Sequence, residues 1–137
     1  MRLDRIVLGG IILIFAAHLA ASIFGWYSNP GWVDIPIHIA GGAWLGLLFF
    51  YLFTQRWNIL TLNTNRVALF VLCVGFAAFI GLGWEIYEYL TNVFVAHNFP
   101  FGGGAPGLYF DTLKDLFDDV IGGALTALWS RRYLYSK

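Results

Sequence analysis

Four apolar stretches limit what this chain can fold into, because each is close to the ~20 residues that a helix needs to cross a bilayer. They extend from about Ile6 to Phe24, Ile35 to Phe53, Val67 to Leu90 and Tyr109 to Ser130. Hydrophobic residues make up 59% of the 137 residues and charged residues only 12%, a balance outside the range of soluble domains. The sequence therefore predicts an all-α, polytopic membrane protein with four transmembrane helices, forming one bundle domain over residues 1–137.

Basic residues predict the orientation of these spans. They precede the first stretch, separate the second from the third, and follow the fourth: Arg2, Arg5, Arg56, Arg66, Arg131, Arg132 and Lys137. The other two connections, 25–34 and 91–108, contain neither Lys nor Arg. Because short cytoplasmic loops are enriched in Lys and Arg, we expect the N- and C-termini to be cytoplasmic. The first stretch also fits a signal peptide, since basic residues precede its short apolar core, but we interpret it as a span.

The fourth stretch differs from the others because its first third is acidic. It carries Asp111, Asp115, Asp118 and Asp119, opposed in sign only by Lys114. At about 100° per residue on a helix, the first three aspartates lie within a sector roughly 60° wide. A carboxylate at the centre of a bilayer costs about 2.5 kcal/mol or more. This face is therefore predicted to meet protein, water or a cation, and not lipid.

Polar residues of the other spans are predicted to lie at the same level. In the expected topology, His38 lies about one turn below the outer surface, and Glu85 and Glu88 lie near the outer end of the third span. Small residues such as Gly41 and Gly42 share the face of His38 and permit close helix packing. We therefore expect one polar site, built from separate spans, beneath the outer headgroups.

The excess of carboxylates predicts what this site binds. Carboxylates that share a dehydrated space cannot all remain ionised, so either several are protonated or a bound cation neutralises them. Oxygen ligands with one or two imidazoles suit Mg²⁺, Ca²⁺, Mn²⁺ or Zn²⁺. The candidate metal ligands are His38, Glu85, Glu88, Asp111, Asp115, Asp118 and Asp119. The candidate catalytic residues are His38, Glu85 and Asp115, because each lies deep and on a glycine-lined face.

Purely structural roles are alternatives for several of these residues. Asp34 and Asp111 are placed to cap the second and fourth helices. Lys114 and Asp118, four residues apart, could form an interfacial pair. Glu88 could simply be hydrated at the membrane edge.

The remaining polar or reactive residues also have simple interpretations. His18 is expected to be an interhelical hydrogen-bonding group. His97 is interpreted as a loop residue, and the single Cys73 as a small buried apolar side chain. The glycine-rich segment 102–107 could be a lid over the site or a plain loop.

Three short patterns occur in order along the chain: Asp34-Ile-Pro-Ile-His38, Glu85-Ile-Tyr-Glu88 and Asp115-Leu-Phe-Asp-Asp119-Val-Ile-Gly122. They resemble the DxxxH, ExxQ and DxxxNxxG signatures of VanZ-like membrane proteins. The segments 84–88 and 111–115 also resemble the YjdF-type family of bacterial inner-membrane proteins. This resemblance implies a place in the cell envelope and a site at the matching positions, which are Asp34, His38, Glu85, Glu88, Asp115, Asp119 and Gly122.

Two departures from the VanZ-like pattern add negative charge. Glu88 stands where that family has Gln, and Asp119 stands where it has Asn. Both changes favour a bound cation. VanZ-like proteins are linked to glycopeptide resistance without a settled biochemical activity, so the resemblance implies a compartment and a site but no reaction.

The leading functional hypothesis is an outward-facing site that acts on an envelope lipid or lipid-linked precursor, by metal-dependent hydrolysis or transfer if the protein is an enzyme. No HExxH motif, paired Glu-x-x-His pattern or phosphate-binding loop supports it. One alternative is a proton- or ion-coupled transporter, although no polar residue is expected to continue the path through the inner half. Others are an accessory subunit of a larger membrane complex and haem ligation by His18 and His38. The expected partners are membrane lipids, with a homo-oligomer or larger complex also open, and the zero net charge gives no indication of nucleic acid.

Overall fold

The computed structural model describes residues 3–27, 32–61, 65–94 and 105–134, and these are helical with short turns and no strand. The four helices are α1 (Leu3–Ile23), α2 (Asp34–Phe50), α3 (Arg66–Phe94) and α4 (Ala105–Leu134). A single π-helical turn, Tyr51–Arg56, continues α2. Three segments are long and apolar enough to cross a membrane: Leu3–Ile23, Asp34–Arg56 and Arg66–Thr91. The all-α prediction is therefore confirmed, together with three of the four expected spans.

Local sequence explains several helix ends. The side chain of Asn65 caps α3, because its Oδ1 accepts a hydrogen bond of 2.8 Å from the backbone N–H of Val67. Past the π-helical turn, Asn58 adopts a left-handed φ of 52°, a conformation that Asn tolerates and that ends the helix. Pro36 lies in the first turn of α2, where its missing N–H costs no hydrogen bond.

Two expected caps are wrong. The helix α2 begins at Asp34 itself and has no side-chain cap hydrogen bond, because the Asp34 carboxylate is directed at Lys114 on α4 instead. Asp111 does not cap α4 either, since that helix begins six residues earlier, at Ala105. Asp34 is therefore available to the polar residues of α4, whereas Asp111 lies at the exposed edge of the bundle.

The closest packing in the bundle is between α2 and α4, with α3 against both. A Cβ atom at Gly42 would stand 2.7 Å from the Cα of Asp119, and one at Gly122 would stand 2.5 Å from the backbone nitrogen of Ala43. These glycines let the two backbones touch, as small residues do between membrane helices. At the far end of the bundle from the acidic residues, Cys73 is fully buried beside Phe49 and Ala127, as its interpretation as a small apolar residue expects.

Helix α1 is peripheral. Among the described residues its backbone comes close only to α2 and the π-helical turn, and it meets α3 through side chains, as in the ring contact of His18 with Trp84. The indole Nε1 of Trp44 on α2 donates a hydrogen bond of 2.7 Å to the carbonyl oxygen of Val7, beside Gly10. This contact attaches the first half of α1 to the bundle.

Candidate functional site

A buried polar cluster forms where the N-terminal ends of α2 and α4 meet. Asp34 and His38 lie one turn apart on α2, and Asp115 and Asp119 lie one turn apart on α4. The Nε2 atom of His38 lies 3.5 Å from Asp34 Oδ1 and 3.9 Å from Asp115 Oδ1. Its Nδ1 atom lies 3.5 Å from Asp119 Oδ1. Both ring nitrogens of His38 therefore face carboxylates, and the ring is only 7% exposed.

Lys114 supplies the positive charge at the mouth of this cluster. Its ammonium donates hydrogen bonds of 2.6 Å to Asp34 Oδ2 and 2.5 Å to Asp115 Oδ1. It also lies 3.6 Å from Asp111, whose side chain is 66% exposed. The expected pair with Asp118 is not the one formed, because Lys114 contacts Asp34 on α2 and Asp111 and Asp115 on its own helix.

Three of these side chains form a group that could hold a metal ion. Asp34, His38 and Asp115 each offer one ligand atom, and these atoms lie within 4.8 Å of one another. Two carboxylate oxygens and one imidazole nitrogen form a donor set found around divalent transition metals. Asp119, on the opposite side of the ring, can fix the orientation of His38 as outer carboxylates do for metal-binding histidines.

Two further carboxylates are buried without a hydrogen-bond partner at one oxygen. Glu85 on α3 is 8% exposed and its Oε1 has no partner, while Asp118 on α4 is 6% exposed and its Oδ2 has none. A buried ionised oxygen without a partner is costly, which favours a proton or a bound cation at each. Neither residue belongs to the group that could hold a metal ion.

A cavity of about 180 Å³ adjoins the cluster between α1, α2 and α3. Its polar end is formed by His18, Tyr27, Asp34, His38, Glu88 and Asp119. The Tyr27 hydroxyl and His18 Nδ1 share a hydrogen bond of 2.7 Å. Tyr27 lies in the turn that follows α1, so this bond does not join two helices, and the interhelical hydrogen bond expected of His18 stays a prediction. Burial, followed by the nearby charges of Asp34 and Glu88, raises the pKa of Tyr27 to about 12, so this hydroxyl keeps its proton at physiological pH.

Two buried hydroxyls follow the acidic residues along α4. Thr126 donates a hydrogen bond of 2.8 Å to the carbonyl oxygen of Ala43, and Ser130 donates one of 3.0 Å to that of Ala127. The expectation that no polar residue continues beyond the acidic residues is therefore wrong. Both hydroxyls are nevertheless satisfied by backbone carbonyls, and neither is ionisable.

The predicted site residues are brought together only in part. Asp115 and Asp119 both lie within 3.9 Å of His38. Glu85 and Asp118 are buried, Glu88 lines the cavity, and Asp111 is at the exposed edge. Lys114 and Tyr27 were not among the predicted site residues, and Asp34 was a site position only through the VanZ-like resemblance. Asp34 lies four residues before His38 on the same helix face, and this spacing was a further signal that Asp34 belongs to the site. No comparable spacing points to Lys114 or Tyr27. His97 and residues 102–104 of the proposed lid lie outside the described residues.

Comparison with protein families matches residues 1–136 to the family described as "Predicted membrane protein (DUF2238)". The chain belongs to this family. Membership of the DUF2238 family and the three apolar helices together fit an integral membrane location. The VanZ-like and YjdF-type resemblances stay predictions from the motifs. No curated protein and no solved structure matches the chain.

Proposed function

We propose that this DUF2238 protein crosses a bacterial inner membrane four times, with both termini in the cytoplasm and the polar cluster near the extracytoplasmic face. The composition of α4 supports a fourth span: Asp115, Asp118 and Asp119 are buried, and its large apolar side chains are exposed. These side chains are Phe110, Leu113, Phe117, Leu125, Leu128 and Trp129. A helix facing water would present the opposite arrangement. Alkaline phosphatase and green fluorescent protein fused to each terminus test the topology; phosphatase activity at either terminus contradicts it.

We further propose that the cluster binds a divalent cation. The observation that carries this proposal is the position of Asp34, His38 and Asp115, whose ligand atoms lie within 4.8 Å of one another in a largely buried site. His38 would offer Nε2, with its Nδ1 directed at Asp119. An imidazole with two carboxylates favours Zn²⁺ or Mn²⁺ over Ca²⁺ and Mg²⁺.

Lys114 would have to leave this group when a cation enters. In the present arrangement its ammonium neutralises Asp34 and Asp115, so it serves as the counter-charge of the site. Its side chain is 25% exposed, and Asp111 offers a second carboxylate at 3.6 Å toward the exterior. Exchange of the ammonium for a metal ion therefore needs only a side-chain movement.

The proposed role is chemistry on the head of an envelope lipid or lipid-linked precursor, through hydrolysis or transfer at a phosphate or ester. A bound divalent cation supplies Lewis acidity for such a reaction. Asp34 and Asp115 position it, and the buried Glu85, with its unpartnered Oε1, is the group we assign to proton transfer. The neighbouring cavity gives a lipid access to the cluster.

Metal analysis of protein purified without chelator tests this function. We expect about one divalent ion per chain in the wild type, and its loss in Asp115→Asn and His38→Gln. Asp4→Asn is the matched control, because it also removes one carboxylate but lies at the start of α1. Equal metal content in all four proteins, or none in any, contradicts the cation site.

Proton-coupled transport is a second candidate, and the unpartnered oxygens of Glu85 and Asp118 favour it. Carboxyl groups buried in this way hold protons that can be exchanged. This function predicts proton uptake into proteoliposomes that is lost in Asp118→Asn and kept in Asp4→Asn. If neither metal binding nor uptake is found, the accessory-subunit hypothesis remains, and pull-down of a larger membrane complex tests it.

A further inference from the structure

The cavity beside the cluster is polar at one end only. Away from the carboxylates its walls are aliphatic and aromatic, formed by Ile11, Ile14, Phe15, Trp44, Leu45 and Ile80. Three of these residues belong to α1, the helix that packs least against the bundle. The cavity therefore has the amphipathic profile of a lipid: a charged head region joined to a hydrocarbon region.

The cavity is open on one side. Within the described residues the backbones of α1 and α3 do not approach closely, and one side-chain contact that bridges them is the near-perpendicular ring pair of His18 and Trp84, with ring centroids 5.7 Å apart. Phe15 and Ile80, which line the cavity from these two helices, are 56% and 40% exposed. The gap between α1 and α3 thus connects the cavity sideways with the surrounding hydrocarbon.

We propose that one hydrocarbon chain of a membrane lipid enters through this gap, so that the lipid head lies against Asp34, His38 and Glu88. A volume of about 180 Å³ exceeds the roughly 150 Å³ of an apolar cavity that binds benzene, so about six carbons fit inside. The rest of the chain lies along the gap between α1 and α3. This inference deepens the proposed function, and it rests on that function for the reaction at the head.

Binding must be selective through the head, because lipid tails outside the protein are as apolar as the cavity wall. The head end carries three carboxylates, from Asp34, Glu88 and Asp119, against the imidazole of His38 and the ammonium of Lys114. A phosphate head alone would be repelled by these carboxylates, and a cation held by Asp34, His38 and Asp115 would remove the repulsion. We therefore assign the site to a lipid with a phosphate head.

Photolabelling in vesicles tests this inference. The full chain is placed in vesicles of digalactosyldiacylglycerol, a lipid without phosphate, with Zn²⁺ and a trace of phosphatidic acid that carries a diazirine in one acyl chain. We expect adducts at Ile14 and Phe15 that excess unlabelled phosphatidic acid competes away. Excess unlabelled phosphatidic acid should not reduce the adducts at Leu13, which is 71% exposed, because these adducts report lipid that only surrounds the helix.

Cavity-filling variants supply the control. Ile14→Trp should reduce competable labelling of Phe15 by about tenfold, equivalent to about 1.4 kcal/mol, and Leu13→Trp should leave it unchanged. Ile80→Trp fills the cavity from α3 and replaces Ile14→Trp as the test variant if Ile14→Trp does not fold. Equal labelling of Phe15 in Ile14→Trp, Ile80→Trp and Leu13→Trp would overturn the inference. Adducts that excess unlabelled phosphatidic acid never reduces would overturn it as well.

Metal content of the same samples separates the two proposals. Bound metal without competable labelling overturns the lipid chain in the cavity and leaves the cation site standing. Labelling that phosphatidic acid competes away in the absence of metal keeps the chain in the cavity, but it overturns the cation site and the reason given for a phosphate head.

Discussion

Replacement of Gly42 by Ala should push α2 and α4 apart and thereby disturb the polar cluster. The new Cβ would stand 2.7 Å from the Asp119 Cα and closer still to the Asp119 carbonyl oxygen, whereas ordinary contacts begin at 3.4 Å. The contact with the Asp119 Cα alone requires the two backbones to separate by about 0.7 Å, the difference between 2.7 and 3.4 Å, and the nearer carbonyl oxygen requires more. No side-chain rotation relieves this contact, because both obstructing atoms belong to the backbone.

The expected cost has a structural and a functional part. Overpacking of this kind destabilises by about 1–3 kcal/mol. The shift moves Asp119, which lies 3.5 Å from His38 Nδ1, and Asp115 with it. Since a misplacement of about 1 Å can cost as much as about 100-fold, we expect divalent-ion affinity to fall by about tenfold or more.

Gly75→Ala is the matched control. Gly75 also lies within a helix, α3, but a Cβ there meets nothing within 4 Å. The substitution should be neutral or stabilise by about 0.5–1 kcal/mol, since Ala is the better helix former. Reversible unfolding in mixed detergent and Zn²⁺ titration measure the two effects. The same midpoint and the same affinity in both variants would show that α2 and α4 do not meet as described.

Three other predictions concern single contacts. Lys114→Gln should strengthen Zn²⁺ binding by about tenfold, because the competing ammonium is removed; unchanged or weaker binding in calorimetry refutes its role as counter-charge. Tyr27 has a raised pKa of about 12, so its protonated form stabilises the fold and this contribution is lost as the pH rises from about 10 to about 12. Tyr27→Phe should abolish that part of the alkaline unfolding slope, and a slope identical to wild type contradicts it. Trp44→Phe should cost about 0.5–1.5 kcal/mol through the lost bond to Val7, and an unchanged unfolding midpoint would show that the bond contributes nothing.

Helix content and close packing could be predicted from local patterns. The apolar runs predicted the helices, and the small residues around Gly42 and Gly122 predicted that two backbones would touch. The position of Asp34 was misjudged because a carboxylate just before Pro36 is also typical of a cap. Its actual partner, Lys114, is 80 residues away in the sequence.

Other features depend on rotations and distances between helices, which no single segment encodes. Asp118 and Asp119 are neighbours in sequence, yet Asp119 faces His38 while Asp118 is left with an unpartnered oxygen. The cavity exists because the backbones of α1 and α3 do not approach closely, and the apolar composition of both helices would have allowed either arrangement.

The buried aspartates of α4 also have a consequence for biogenesis. Asp115, Asp118 and Asp119 would each add about 2.5–3.5 kcal/mol to the insertion of α4 as an isolated helix. Their partners, Asp34 and His38 among them, are synthesised much earlier, in α2. If α4 crosses the membrane as proposed, docking onto helices already in place would offset this cost, and the nascent protein would have to keep α2 accessible until α4 arrives.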